Sequence, residues 1–157
     1  MAAMDNLTRA GRRARMRGVG ARGNRSTEWR LRAGLVGRGI SGWTMHEKSL
    51  PGCPDFVFVS AHLAVFVDGC FWHGCPICKR TMPATNATFW RSKIQRNKSR
   101  DVIVGRQLRT CGIRVLRLWE HELRGTVGLE DAIRRLTLLL RKDKWCARRD
   151  LNLRPVG

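Results

Sequence analysis

Acidic residues are scarce in this chain, with 12 Asp plus Glu against 31 Lys plus Arg over 157 residues, and the formal net charge is +19. A surplus of that size repels itself in a compact state, and a polyanion relieves it by exchanging condensed counterions for Lys and Arg. Nucleic acid is therefore the expected partner, with a solvated basic surface lacking any ligand as the plainer reading. Long apolar runs are also missing. None approaches the roughly 18 residues a membrane span requires, and the opening MAAMDNLTRAGRRARMRG has Arg and Gly where a secretory signal would carry its apolar core. The expectation is a cytoplasmic protein with no membrane partner. No internal repeat is apparent. Hydrophobic residues are not lacking: at 43 %, with six Trp, they exclude a wholly disordered basic tail protein.

The length suits one domain with a real core. Residues 1–32 hold nine arginines against only Asp5 and Glu28, so residues 1–25 read as a flexible basic arm able to follow phosphates or a groove. Residues 26–142 form the folded domain. From Arg141 onward six Lys or Arg face only Asp143 and Asp150, and residues 143–157 read as a basic, disordered tail.

Within the domain, Ser26 or Thr27 can cap a helix over about 28–39 that buries Leu31, Leu35 and Val36. A short strand is expected at 43–45, and the prolines of Leu50-Pro51-Gly52-Cys53-Pro54 mark a turn. The β-branched and aromatic runs 56–59 and 63–67, joined by Ser60-Ala61-His62, read as an antiparallel hairpin. A long helix over about 89–110, with caps available at 85–88, a strand at 113–119 and a last helix over about 129–142 complete the order. This is an α/β fold, a mixed sheet flanked by helices.

Two constellations carry chemistry. Cys70, Cys75 and Cys78 crowd into nine positions and end in Cys-x-x-Cys, a spacing at which thiolates reach one tetrahedral ion. In a reducing compartment zinc is favoured over disulfides, with three unconnected thiols as the bland alternative. His121, after a predicted strand, is the best further ligand. The second constellation is acidic. Asp55, heading one hairpin strand, and Asp68, ending the other, should meet at one end of the sheet. With Glu28 from the first helix they could share a cleft that needs Mg²⁺ to offset their repulsion; alternatively each carboxylate caps a turn or pairs with an Arg. An imidazole titrates near neutrality, which makes His73 a candidate general base for phosphodiester hydrolysis, with Asp101 orienting it. His73 packed beside the cysteine loop, or ligating zinc, are the competing readings.

The segments Leu50-Pro51-Gly52-Cys53-Pro54-Asp55-Phe56, Phe66-Val67-Asp68-Gly69-Cys70-Phe71-Trp72-His73, Pro83-Ala84-Thr85, Phe89-Trp90-x-x-Lys93, Asn97-x-x-Arg100-Asp101 and Gly112-x-Arg114-Val115-x-x-x-Trp119-Glu120 resemble the very short patch repair endonucleases over roughly residues 9–140. The phrase Gly-Cys-Phe-Trp-His-Gly-Cys-Pro is the most specific of them. The resemblance implies a restriction-endonuclease-like fold with a structural zinc site. It also implies a Mg²⁺-dependent nick on the 5′ side of the thymine in a T·G mismatch, the product of 5-methylcytosine deamination. Asp55 and the backbone carbonyl of Val67 then fall on metal-ligand positions, and Glu28 supports hydrated metal. His73 falls on the general base and Asp101 on its partner. Phe71, Trp72 and Trp90 match an aromatic wedge inserted beside the mismatch, although Trp90, on a helix, also suits a core.

Cys70, Cys75 and His121 match zinc-ligand positions, whereas the fourth position aligns with Ile77, so that Cys78 as ligand requires a small loop adjustment. Two departures stand out. Cys70 replaces the lysine usual two positions after the acidic residue in the wider fold. Asp68 stands where some relatives have histidine, which could shift its role from the leaving group to binding metal. The implied partners are double-stranded DNA with a T·G mismatch and accessory mismatch-repair proteins, the enzyme acting as a monomer. The rival from another class is a noncatalytic, zinc-stabilised DNA-binding module.

Overall fold

In the computed structural model the described residues are 25–79 and 81–146. Helix α1 (Arg25–Val36) is followed by strands β1 (Trp43–Met45), β2 (Phe56–Phe58) and β3 (Leu63–Asp68), helix α2 (Ala87–Thr110), strand β4 (Arg114–Trp119) and helix α3 (Thr126–Cys146). The sheet order is β1-β2-β3-β4. The first three strands run antiparallel in succession, and β3 pairs parallel with β4 through the crossover that contains the cysteine loop and α2.

All six residues of β3 are buried, as expected of a central strand covered on both faces. Because side chains alternate along a strand, Leu63, Val65 and Val67 join Phe56, Phe58 and Leu118 in a core closed by Leu31 and Leu35 of α1 and by Ala132, Ile133 and Leu136 of α3. Ala64 and Phe66 face the other way, onto Val104 and Leu108 of α2. The two helices of the first layer press closely. A Cβ on Gly34 would stand 2.5 Å from the Ile133 side chain.

The expected mixed sheet flanked by helices is present, with shifted ends. Helix α1 spans Arg25–Val36, so Ser26 and Thr27 lie inside it rather than at its cap. Strand β2 stops at Phe58, because Val59–Ala61 form a 3₁₀ turn that His62, at φ 44°, closes before β3. Helix α2 starts at Ala87, with Asn86 at its N-cap and no side-chain capping bond. Helix α3 runs to Cys146, so residues 143–146, expected in the disordered tail, are helical. The expectations for the remainder of the arm and tail lie outside the described residues. Among the described residues no helix is long and apolar enough to cross a membrane.

Candidate active site and metal centre

One end of the sheet collects the chemistry, and the strand register explains why. In the parallel pair Asp68 stands opposite Trp119; two residues beyond each, Cys70 and His121 leave the sheet in step. Their side chains meet, with His121 Nδ1 3.3 Å from Cys70 Sγ and 3.6 Å from Cys75 Sγ. The loop folds tightly, since the Cys75 amide donates to the Cys70 carbonyl at 2.9 Å and the Cys78 amide donates to Cys75 Sγ at 3.5 Å. Gly74 is required there: it sits at φ +60°, and a Cβ would stand 2.5 Å from Lys98 and 3.0 Å from Ile94 of α2.

Cys70, Cys75, Cys78 and His121 offer ligand atoms within 4.8 Å of one another. The loop thus makes the adjustment that brings in Cys78, while Ile77 is 73 % exposed. Burial pushes the Cys70 thiol up to about 12, so a thiolate there calls for a cation beside it. Burial also works against the Cys75 thiolate, but the amides of Cys78 and Ile77 at its sulfur bring its pKa below the usual thiol value. Three cysteines and a histidine form a donor set suited to a closed tetrahedral site.

The acidic constellation assembles differently from the three-carboxylate cleft expected from the sequence. Glu28 is carried on the buried stripe of α1, three and seven residues before Leu31 and Leu35, and its side chain is 4 % exposed. Asp55 precedes β2, and its Oδ2 accepts the Val67 amide at 2.7 Å. A strand residue turns its N–H and C=O to the same edge, so the Val67 carbonyl faces the Asp55 side. The third member is His46, which the sequence reading missed, with Nε2 3.4 Å from Glu28 Oε2 and Nδ1 4.0 Å from Asp55 Oδ1. These three groups also offer ligand atoms within 4.8 Å of one another. Burial pushes the Asp55 carboxyl up to about 6, opposed by the Val67 amide and reinforced by the charge of Glu28. Two carboxylates crowded out of water are a donor set that fits a hard divalent cation.

Asp68 is turned elsewhere. Its two oxygens accept from Arg117 Nη1 at 2.8 and 2.6 Å, and the same guanidinium reaches Asp101 Oδ1 at 3.2 Å. Arg117 also escaped the sequence reading. It lies on the α2 face of β4, opposite Phe66, and covers the Phe66 ring at 4.8 Å. Asp101, on α2, accepts from His73 Nδ1 at 2.6 Å. Burial opposes the Asp101 carboxylate, but the hydrogen bond and charge of His73, then Arg117 and Arg100, hold its pKa below the ordinary value. A carboxylate on Nδ1 assigns the proton to that nitrogen and leaves Nε2 as the basic atom of the neutral ring. Asp68 Oδ1 lies 3.7 Å from His73 Nδ1, and its charge adds to the upward shift of Asp55.

Beside His73, the rings of Phe71, Trp72 and Trp90 pack at centroid distances of 5.2 to 5.7 Å, and Phe89 extends the cluster to 5.2 Å from Trp90. Lys93 Nζ lies over Trp72 at 5.0 Å, and Asn97 donates to the Trp72 carbonyl at 2.9 Å. Phe71, Trp72 and Trp90 are half-buried, and Phe89 is 51 % exposed, so this is a surface cluster held on α2 rather than a core one.

Fold and site together define a class, basic mixed α/β proteins in which a cysteine-rich cluster able to hold a metal adjoins an acid–histidine site. Residues 4–80 match the model of the family described as DNA mismatch endonuclease Vsr. The DNA mismatch endonuclease Vsr of Escherichia coli (strain K12) is 36 % identical over 141 residues, covering 90 % of this chain and 86 % of that protein. The type II nicking enzyme V.NaeI of Lentzea aerocolonigenes is 49 % identical over 80 residues, 51 % of this chain and 45 % of the enzyme's own length. V.XorIIP of Xanthomonas oryzae pv. oryzae, another type II nicking enzyme, is 39 % identical over 92 residues, 59 % of this chain and 68 % of the relative. The chain belongs to the Vsr family of DNA mismatch endonucleases.

Proposed function

We propose that this protein nicks one strand of duplex DNA on the 5′ side of the thymine in a T·G mismatch, by Mg²⁺-dependent hydrolysis, and so begins very short patch repair. The observation that carries the reading is the 2.6 Å bond between His73 and Asp101 at the same sheet end as the buried Glu28 and half-buried Asp55 carboxylates. Asp55, with the Val67 carbonyl, would hold the Mg²⁺, and Glu28 would hold its water shell. The ion when bound neutralises the scissile phosphate and stabilises charge on the departing oxygen. His73 takes the proton of the attacking water at Nε2, while Asp101 fixes the ring and balances the imidazolium that results. Asp68 and Arg117 position this pair: the guanidinium satisfies both carboxylates, and Asp68 is therefore read as a support for the base rather than as a metal ligand.

Zn²⁺ is the ion proposed for Cys70, Cys75, Cys78 and His121, with a structural role, because it ties the loop carrying His73 to the end of β4. Phe71, Trp72 and Trp90 form the wedge. Unstacking a base step costs a few kcal/mol, and a wobble pair lowers that penalty relative to a Watson–Crick neighbour, so deformability contributes to specificity. The arginines of residues 1–25 add sequence-independent affinity, and the protein acts as a monomer in the cytoplasm alongside accessory mismatch-repair proteins.

Strand-specific mapping of the nick on T·G, T·A and C·G duplexes, in Mg²⁺ and in EDTA, tests this. The expected result is a single nick 5′ of the mismatched thymine in Mg²⁺ alone. Tight duplex binding with no cleavage in Mg²⁺ would favour the noncatalytic DNA-binding module.

A further inference from the structure

The carboxylates of Glu28 and Asp55 belong to the reading above, but His46 between them has no role in it. We infer that His46 is a ligand of the same divalent cation, supplying an imidazole nitrogen beside the two carboxylate oxygens. This rests on the proposed function and extends it by naming a residue and a metal preference.

Three observations carry the inference. The antiparallel register pairs Met45 with Phe56, so the next residue of each strand end, His46 and Asp55, face each other, tied by the His46 amide to the Asp55 carbonyl at 3.3 Å. His46 adopts φ 54°, a left-handed turn conformation in which histidine is enriched, directly after β1. One donor atom from each of Glu28, His46 and Asp55 lies within 4.8 Å of the others, close enough for all three to reach one ion. The 3.4 Å between His46 Nε2 and Glu28 Oε2 is longer than a good hydrogen bond, about 2.7 to 3.2 Å, and falls between the cis and trans ligand spacings of an octahedral ion with bonds of about 2.1 Å, roughly 3.0 and 4.2 Å. The His46 side chain is 46 % exposed, which leaves the cluster open to solvent and substrate on that side.

An imidazole changes which ion the site prefers. Mg²⁺ takes oxygen donors, whereas nitrogen donors favour the later divalent ions in the order Mn²⁺, Fe²⁺, Co²⁺. The site should therefore bind Mn²⁺ more tightly than Mg²⁺, and that margin should depend on His46.

The test uses the full chain with its Cys-rich centre loaded with zinc, titrated with Mn²⁺ and examined by pulsed electron paramagnetic resonance. The expected result is a ¹⁴N coupling from a ligating imidazole that shifts on ¹⁵N-histidine labelling, a measurement that needs no variant. It should vanish in His46→Gln and persist in His73→Ala. His46→Gln should weaken Mn²⁺ binding about tenfold and Mg²⁺ binding by less. Asp55-dependent Mn²⁺ binding without a nitrogen coupling, or a coupling lost in His73→Ala instead, overturns the role of His46 and leaves the proposed site intact. Mn²⁺ binding equally strong in Asp55→Ala overturns the proposed site itself, and this inference with it.

Discussion

Two metal-capable clusters share one end of this sheet, and their donors separate their tasks. The Cys70, Cys75, Cys78 and His121 centre has four ligand groups, three of them sulfur, drawn from one tight loop and the turn after β4. It leaves no place for a reacting molecule, as in structural sites. The Glu28, His46 and Asp55 cluster has three groups from three separate elements, two of them oxygen donors, and one is nearly half exposed. A closed soft site beside an open hard one implies that removing ligands from the first costs stability, whereas removing them from the second costs reaction.

The largest effect should therefore appear at the open site with no matching loss of fold. Asp55→Ala, which removes a proposed metal ligand, and His73→Ala, which removes the proposed base beside that site, should each lower nicking of a T·G duplex by about 10²- to 10⁴-fold, while duplex affinity stays within about threefold. Single-turnover nicking and equilibrium binding on the same preparations check this, and retained nicking by either variant would remove the catalytic assignment. The reverse pattern belongs to the closed site. Cys70→Ser should cost about 3 kcal/mol or more, equivalent to a fall of roughly 10 °C in thermal midpoint for a chain of this size. Unchanged midpoint and metal content in that variant would show that the thiol cluster holds nothing together.

The open site should also be a measurable liability when empty. Asp55 has a folded pKa of about 6 against an ordinary 3.8, so between those values the folded state binds more protons than the unfolded one, and stability falls as pH rises. The shift corresponds to on the order of 3 kcal/mol, present below about pH 4 and lost above about pH 6. Asp55→Asn removes that titration. In the metal-free protein its urea midpoint should exceed the parent's at pH 7.5 and converge with it near pH 4, and adding Mg²⁺ at pH 7.5 should raise the parent's midpoint alone. Parallel curves for parent and variant would show that Asp55 is not a strained carboxylate.

Much of this arrangement was legible because local rules dictate it. Leu31 and Leu35 share a helix face with Glu28, the prolines around Gly52 fix a turn before Asp55, and Cys75 and Cys78 have ligand spacing. What escaped depended on pairing between distant segments. The position of His46 follows from β1 pairing with β2, and reading residues 43–58 as one hairpin around the Pro51-Gly52 turn would have set it opposite Asp55. Arg117 looked like one of many surplus arginines; the parallel register, with Phe66 opposite it and Asp68 diagonal to it, makes it the partner of the buried Asp68, and α2 brings the half-buried Asp101 to the same guanidinium. Cys78 was within reach by spacing, but its place in the cluster needed the loop closed by Gly74 against α2. Element ends were least legible, as at Val59, where a strand-forming residue begins the turn because β3 must return.

The smallest predicted effect sharpens the same comparison, because the aromatic cluster belongs to neither metal-capable site and is held on α2 beside His73. Trp72 follows Cys70 by two residues, precedes His73, and has its carbonyl anchored by Asn97 of α2. Its ring packs on Phe71 and Trp90 with Lys93 over it, and in the proposed function it is the ring that would enter the base step. A base–aromatic stack is worth about 1 to 3 kcal/mol, and an alanine would forfeit it only where the step opens. Trp72→Ala should lower the ratio of T·G to T·A duplex affinity by about threefold to tenfold, yet weaken matched-duplex binding less. If phosphate contacts carry that binding, as the +19 charge suggests, it should fall steeply with salt in both proteins. If the affinity ratio is the same in variant and parent, the ring is packing for the cysteine loop, and mismatch recognition must come from elsewhere on the surface.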